Sequence, residues 1–201
     1  MEDSVIKYKI KWTEVDCIAA SEVETINFYR KLLWQKKLIG EDEDGIGYGN
    51  ISFRDPKNEA HFIISGTQTG KYEWLKNTQY AKVTYWNIKN NSLYCQGKTK
   101  ASSEALTHAN LYDKIADCQI VIHIHNAIIW HRYYNILPTT SKEIVYGSPE
   151  MAETVQFLFH KNNSKLFSNI LIMGGHQDGI LAYGSDFASV TQQLIQLVTP
   201  S

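Results

Sequence analysis

The chain has 201 residues, 43% hydrophobic and 20% charged, with 20 basic and 21 acidic side chains and a formal net charge of −1. That length and composition fit one globular domain with a sizeable core, and so even a charge balance, with no Lys/Arg run longer than two residues, argues against a nucleic-acid partner. No apolar run approaches the roughly 18 residues of a membrane helix, and "MEDSVIKYKIKW" has no continuous apolar stretch of the kind a secretory signal carries, so a cytoplasmic protein is expected.

In "SVIKYKIKWTEV", Ile6, Tyr8, Ile10 and Trp12 alternate with Lys7, Lys9 and Lys11. That is a strand period, so residues 1–15 read as an N-terminal extension carrying an extra strand, ahead of a main domain over 16–201. From Asp16 to Lys37 the period changes to that of an amphipathic helix, with Ala19, Val23, Ile26 and Leu33 on one face and Arg30 its one polar entry. "GYGNISFRD" and "AHFIISG" are strands punctuated by glycine, and "YAKVTYWNI" with "SLYCQG" predicts a hairpin turning at Asn90-Asn91. Ser102-Ser103-Glu104 predicts a helix start, with serine as cap and a carboxylate complementing the dipole, and the helix runs to about Ile115.

After an apolar strand come a short helix around 126–134 and the turn "LPTT". "SPEMAETVQFLFHK" opens with a serine cap and a proline at the first helical position. "NILIM" and "GILAYG" are strands flanking "GGHQDG", and residues 185–198 form the last helix. The expected fold is a single α/β domain with a central, largely antiparallel sheet flanked by helices. Cys17, Cys95 and Cys118 are odd in number and far apart, which predicts neither a disulfide framework nor a zinc ribbon.

The chemistry centres on "IVIHIHNAIIWH", residues 120–131. Side chains i and i+2 of a strand share a face, with Cβ atoms roughly 6–7 Å apart, so His123 and His125 are able to reach one metal ion. Equally, such a pair serves as hydrogen-bonded core or surface histidines. His176, in the glycine-flanked turn "MGGHQDG", is a candidate third ligand. Three imidazoles with an open fourth position form a catalytic rather than a structural zinc arrangement. His108, one turn after Glu104, reads as a hydrogen-bonding support. Asp178 and His131 are further polar groups near the site, with surface or structural roles as the default. Trp34, Trp86 and Trp130 read as core or subunit-contact residues.

The motifs in order resemble the class II aldolase/adducin-like family, which includes fuculose-phosphate and ribulose-phosphate aldolases and epimerases. "GNIS" (49–52) resembles the family's phosphate loop, and "FIISG" (62–66) the following strand and small-residue turn. "SSEALTH" (102–108) is similar to its serine-serine-glutamate helix start, "HIH" (123–125) to its strand histidines, and "GHQDG" (175–179) to its third-histidine turn. The resemblance implies that His123, His125 and His176 bind a divalent metal, most often zinc, although three imidazoles accept other ions too. It makes Glu104 the acid/base carboxylate, and Asn50, Ser65, Gly66, Ser102 and Ser103 a phosphate cradle. Hydroxyls and N–H groups at a helix N-terminus suit an anion without an arginine cluster.

The implied activity is a lyase of aldolase type that cleaves a phosphorylated sugar or related hydroxy-carbonyl compound through a metal-stabilised enediolate. Dehydration or epimerisation of a sugar phosphate is the alternative enzymatic reading. A non-catalytic scaffold like the adducin head is the rival, and it is expected to lose metal ligands that this chain keeps. Two departures stand out. The family's proton-donating tyrosine has no counterpart among Tyr133, Tyr134 and Tyr146, and "GGHQDG" replaces the usual "NHG". "NAIIWHRYY" is apolar or aromatic around most of a helix, which predicts burial against a second subunit, in a homotetramer by resemblance, with an internal helix as the other reading.

Overall fold

The strand that carries the two neighbouring histidines is buried on both sides, and the rest of the fold is arranged to cover it. In the computed structural model, residues 7–161, 167 and 169–198 are described. Ile6, the first apolar residue of the expected N-terminal strand, lies outside the described residues. The strands are β1 (Lys9–Glu14), β2 (Gly40–Glu41), β3 (Gly47–Tyr48), β4 (Asn50–Arg54), β5 (Phe62–Ser65), β6 (Tyr80–Asn87), β7 (Ser92–Gly97), β8 (Ile120–His125), β9 (Ile170–Ile172) and β10 (Gly179–Gly184). The helices are α1 (Glu24–Gln35), α2 (Ala105–Lys114), α3 (Ala127–Tyr133), α4 (Pro149–Lys161) and α5 (Phe187–Val198).

Eight strands form one sheet in the order β1-β7-β6-β5-β4-β8-β10-β9, while β2 and β3 pair separately. Every pairing in the large sheet is antiparallel except β1 with β7, where the strand ahead of α1 lies parallel along the edge. Side-chain alternation divides the core in two. Ile120, Ile122 and Ile124 of β8 pack with Ile26 and Leu33 of α1 and with Val190 and Leu194 of α5. Val121 of β8, with Leu181 of β10, faces Ala105 and Ala109 of α2 and Met151 and Val155 of α4. Each of these valine, leucine, isoleucine and methionine side chains stabilises the fold by ~1.5–3 kcal/mol on full burial. His123 and His125 therefore project on the α2/α4 side, beyond the end of that apolar layer.

Local chemistry explains several boundaries. Ser148 Oγ accepts from Met151 N at 3.1 Å and caps α4 ahead of Pro149. Asn126 Oδ1 accepts from Ile129 N at 2.9 Å and caps α3. Asn91, at φ +47°, closes the β6–β7 hairpin.

Two expectations need correction. The first helix begins at Glu24, after a 3-10 turn at Ala20–Val23, because Ala19 is extended and its N–H is taken by Glu22 Oε2 at 2.8 Å. Ala19 is consequently exposed. Helix α2 begins at Ala105 instead of Ser102. Ser102 Oγ accepts from Glu104 N at 3.4 Å, so Ser102-Ser103-Glu104 form the turn that leads into the helix.

Candidate metal centre and substrate cavity

Three neighbouring backbones bring the site together. Register pairs His123 of β8 with Asn50 of β4, and His125 with Gly179 of β10. His176 sits in the tight turn before β10, where Gly179 N donates to its carbonyl at 2.9 Å. Asn50 follows Gly49, whose φ of +75° lies in a region closed to most L-residues, and an added Cβ would also lie 2.8 Å from Ile39 and 3.1 Å from the His123 carbonyl. That glycine lets β4 start flush against the histidine strand.

The three imidazoles converge. Ring centroids lie 4.9 Å apart for His123–His125, 4.9 Å for His123–His176 and 4.6 Å for His125–His176. One nitrogen from each falls within 4.8 Å of the others. His123 Nδ1 is 3.2 Å from the Ile180 carbonyl, which only accepts, so the ring's lone pair is on Nε2. His123 Nε2 stands 3.1 Å from His125 Nε2. Two nitrogens each about 2.0–2.1 Å from a shared tetrahedral ion would stand about 3.3 Å apart.

Glu104 adds a carboxylate: its Oε1 is 3.6 Å from His176 Nδ1, and Thr107 Oγ1 donates to its Oε2 at 3.5 Å. Burial pushes the Glu104 carboxyl up to about 7, against the Thr107 hydrogen bond and the Lys7 charge. Burial likewise lowers His125 to about 4, and holds His123 and His176 well below the ordinary imidazole value, reinforced by their neighbours' charge.

These residues fit a divalent ion. Neutral imidazole is the ligating form, and burial keeps all three rings neutral at pH 7. The His123 tautomer presents its free nitrogen toward His125, and its outer N–H is tied to a carbonyl, as ligating histidines usually are. Asn50 Oδ1, Glu104 Oε1, His176 Nδ1 and Asp178 Oδ1 are buried with no hydrogen-bond partner among the described residues, which is unusual for polar atoms unless something else meets them.

The histidines line a cavity of about 580 Å³. Asn50, Gly66, Ser102, Ser103, Glu104 and Asp178 line it too, which gathers most of the expected site. Three expected residues lie outside its wall. Ser65 Oγ accepts from Ile51 N at 3.2 Å and is spent on joining β4 to β5. His108 is fully buried behind the site, 2.7 Å from Ser52 Oγ, which in turn meets Tyr112 OH at 2.7 Å. His131 is exposed on α3, edge-on to Trp130.

Sequence reasoning missed Lys37, Asp42, Tyr48, Gln68 and Tyr146, all cavity-lining. Tyr146 stacks on His176 with centroids 4.2 Å apart and planes at 23°. No spacing rule links a tyrosine in an irregular segment to a histidine thirty residues on. Arg30 was visible only as a polar break on α1. It is buried, and its guanidinium donates to the carbonyls of Thr69, Gly70, Tyr72 and Glu73, which fixes the loop whose Thr69 and Gly70 form part of the cavity wall.

Fold and site together define an α/β protein with a histidine-lined polar cavity at one end of a mostly antiparallel sheet. The sequence profile described as Class II Aldolase and Adducin N-terminal domain matches residues 34–199, and the chain belongs to that family. Solved structures of similar fold include an L-fuculose 1-phosphate aldolase, at TM-score 0.64 and 20% identity over 90% of this chain and 84% of that one. They also include the L-fuculose-1-phosphate aldolase of Thermus thermophilus, at 0.64 and 15% over 86% and 87%. A sugar-phosphate aldolase of Thermotoga maritima follows at 0.63 and 16% over 86% and 88%. At these identities the likeness shows the fold. No curated protein sequence matches the chain. Among the described residues, no helix is long and apolar enough to cross a membrane.

Proposed function

We propose that the chain is a metal-dependent lyase of aldolase type acting on a phosphorylated sugar or related hydroxy-carbonyl compound. The observation that carries this reading is the Glu104 carboxyl beside three converging neutral imidazoles in one polar cavity. His123, His125 and His176 would hold a divalent ion, with zinc the first candidate for an all-imidazole set. When bound, that ion supplies Lewis acidity toward a carbonyl and its adjacent hydroxyl, the chemistry that favours an enediolate.

Glu104 moves the proton. Burial raises its carboxyl, and a cation held by the neighbouring imidazoles would lower it again, so the two together would set where it takes and returns the proton in a reversible cleavage. Asn50, Ser102 and Ser103, with the Gly66 backbone, would hold the phosphate from the side where α2 begins, so the substrate's reacting carbons lie toward Glu104. Dehydration or epimerisation would draw on the same residues with a different second proton partner, and the reading keeps aldol cleavage first because of the neighbouring folds' named activities.

The same proposal takes residues 16–201 as the catalytic domain of a cytoplasmic enzyme, with 1–15 as an extension. It also takes the working form as a homotetramer. Ile128 of α3 and Ile136 just after it are 68% and 73% exposed in the single chain, beside a cavity whose wall includes Ala127. A second copy covering them would bring its residues close to the site.

The test is a screen of phosphorylated ketoses for released aldehyde with the zinc-loaded protein. Release by the wild type and loss in Glu104→Gln is the expected result. No release from any ketose phosphate by the metal-loaded wild type would remove the lyase reading.

A further inference from the structure

The third histidine sits on a loop with two glycines before it, and the structure shows what those glycines accommodate. A Cβ on Gly174 would lie 2.1 Å from the Thr140 carbonyl oxygen, and one on Gly175 would lie 1.8 Å from that of Ile144. Gly174 N also donates to Thr140 Oγ1 at 2.8 Å. The backbone of residues 140–147 thus runs directly against the His176 loop, closer than any side chain at those two positions permits. At the far end of that segment Tyr146 lays its ring on His176, 4.2 Å away at 23°. The ring's position is fixed from outside: Lys7 Nζ stands 3.5 Å from its centroid. Gly147, at φ +72°, meets the Ser103 carbonyl, with 3.3 Å left for any Cβ. Lys7 precedes the segment that the family profile matches, and its neighbour Tyr8 donates from its hydroxyl to the Ser102 carbonyl at 2.8 Å.

We infer that residues 140–147 form a strap that seats His176, with Tyr146 as a positioning residue whose flat ring holds the imidazole at the angle needed to share an ion with His123 and His125. The inference rests on the metal reading above. His176 needs such help more than its partners do. His123 and His125 are held by paired strands, and His123 Nδ1 is tied to Ile180, whereas His176 Nδ1 has no hydrogen-bond partner among the described residues. Groups that orient a ligand from outside the coordination sphere commonly change metal affinity by about 10–100-fold. The ring, not the hydroxyl, makes the stacking contact, so the requirement is for flatness.

The experiment is a zinc titration of the full chain against a chromophoric chelator for wild type, Tyr146→Phe, Tyr146→Trp, Tyr146→Leu and Tyr146→Gln, with circular dichroism to confirm that each is folded. Gly175→Ala, which must displace the strap, serves as an independent second probe. The expected pattern is affinity within about 3-fold of wild type for Phe and Trp, and weakening of about 10-fold or more for Leu, Gln and the glycine variant. Leu or Gln binding as tightly as wild type would overturn the strap, as would equal weakening by Phe. Wild type failing to bind zinc at all would overturn the metal reading and the strap with it, so the two failures are told apart by the wild-type curve.

Discussion

His176 Nδ1 and Glu104 Oε1 face each other at 3.6 Å, just beyond hydrogen-bond reach, and neither atom has a hydrogen-bond partner among the described residues. A buried imidazole nitrogen and a buried carboxylate oxygen left this way are poised for something shared between them. This relationship shapes most of what the chain is expected to do.

Glu104→Gln should cut turnover by on the order of 10² or more, the range for a lost general acid/base, while zinc affinity stays close to wild type. The same variant should reveal itself in stability. The Glu104 carboxyl is raised from 4.5 to about 7, so its favourable contribution is present below pH 4.5 and is lost as pH rises through 7. Without metal, Gln at this position should stabilise the fold at pH 8 by ~1–3 kcal/mol relative to wild type and by little at pH 4. Urea denaturation at the two pH values reads this directly, and equal differences at both would count against a buried, strained carboxyl.

His108 pulls the other way. Burial lowers it from 6.5 to about 3, so its contribution is present above pH 6.5 and is lost as pH falls toward 3. Between pH 6.5 and 4.5 this one group should remove ~2–3 kcal/mol of stability. His108→Gln is expected to be less stable than wild type at pH 7, through loss of its 2.7 Å contact with Ser52, yet to lose less on acidification. Parallel pH curves for the two proteins would show that His108 is not the acid-sensitive group.

Replacing Arg30 tests the part of the cavity wall formed by Thr69 and Gly70. Arg30→Ala leaves the carbonyls of Thr69, Gly70, Tyr72 and Glu73 without their donor. A buried carbonyl without a partner costs ~1–3 kcal/mol, and two of the four, on Thr69 and Gly70, make buried contacts, so a loss of ~2 kcal/mol or more is expected. Arg30→Lys should rescue little, because a point-like ammonium cannot reach four carbonyls as the guanidinium fork does. Near-wild-type stability of either variant in urea denaturation would contradict the arrangement.

How much of this was legible in the residues depends on the distance over which each feature is decided. The alternation in β8 put His123 and His125 on one face, because a period of two is a local property of the strand. The Ser148 cap of α4 is local as well, and so were the strands around "GGHQDG". The start of α2 falls three residues later than its serine cap predicts, because Ser102 Oγ satisfies Glu104 N within a turn, a choice between nearby donors that composition does not decide. Ser65 reads as a cradle residue by motif, but the pairing of β4 with β5 claims its hydroxyl. Arg30 and Tyr146 were out of reach for a different reason. Their partners lie 39–43 and 30 residues away, in segments without regular structure, and only tertiary packing brings them together.

The exposed apolar side chains near α3 make a prediction about assembly. Under the tetramer proposal, Ile128→Glu with Ile136→Glu should give a folded species near 23.0 kDa by light scattering, and the wild type about four times that mass. Both side chains are already more than two-thirds exposed in the single chain, so the fold itself should lose little. A wild type that is monomeric at micromolar concentration would end the tetramer proposal.

The claim on which the rest depends is that His123, His125 and His176 share one divalent ion. X-ray absorption at the zinc edge of the loaded protein measures this most directly. The expected spectrum is fitted by three imidazole nitrogens at about 2.0–2.1 Å, falling to two in His176→Ala. A first shell with fewer than three imidazoles in the wild type, or one unchanged by removal of His176, would contradict the account.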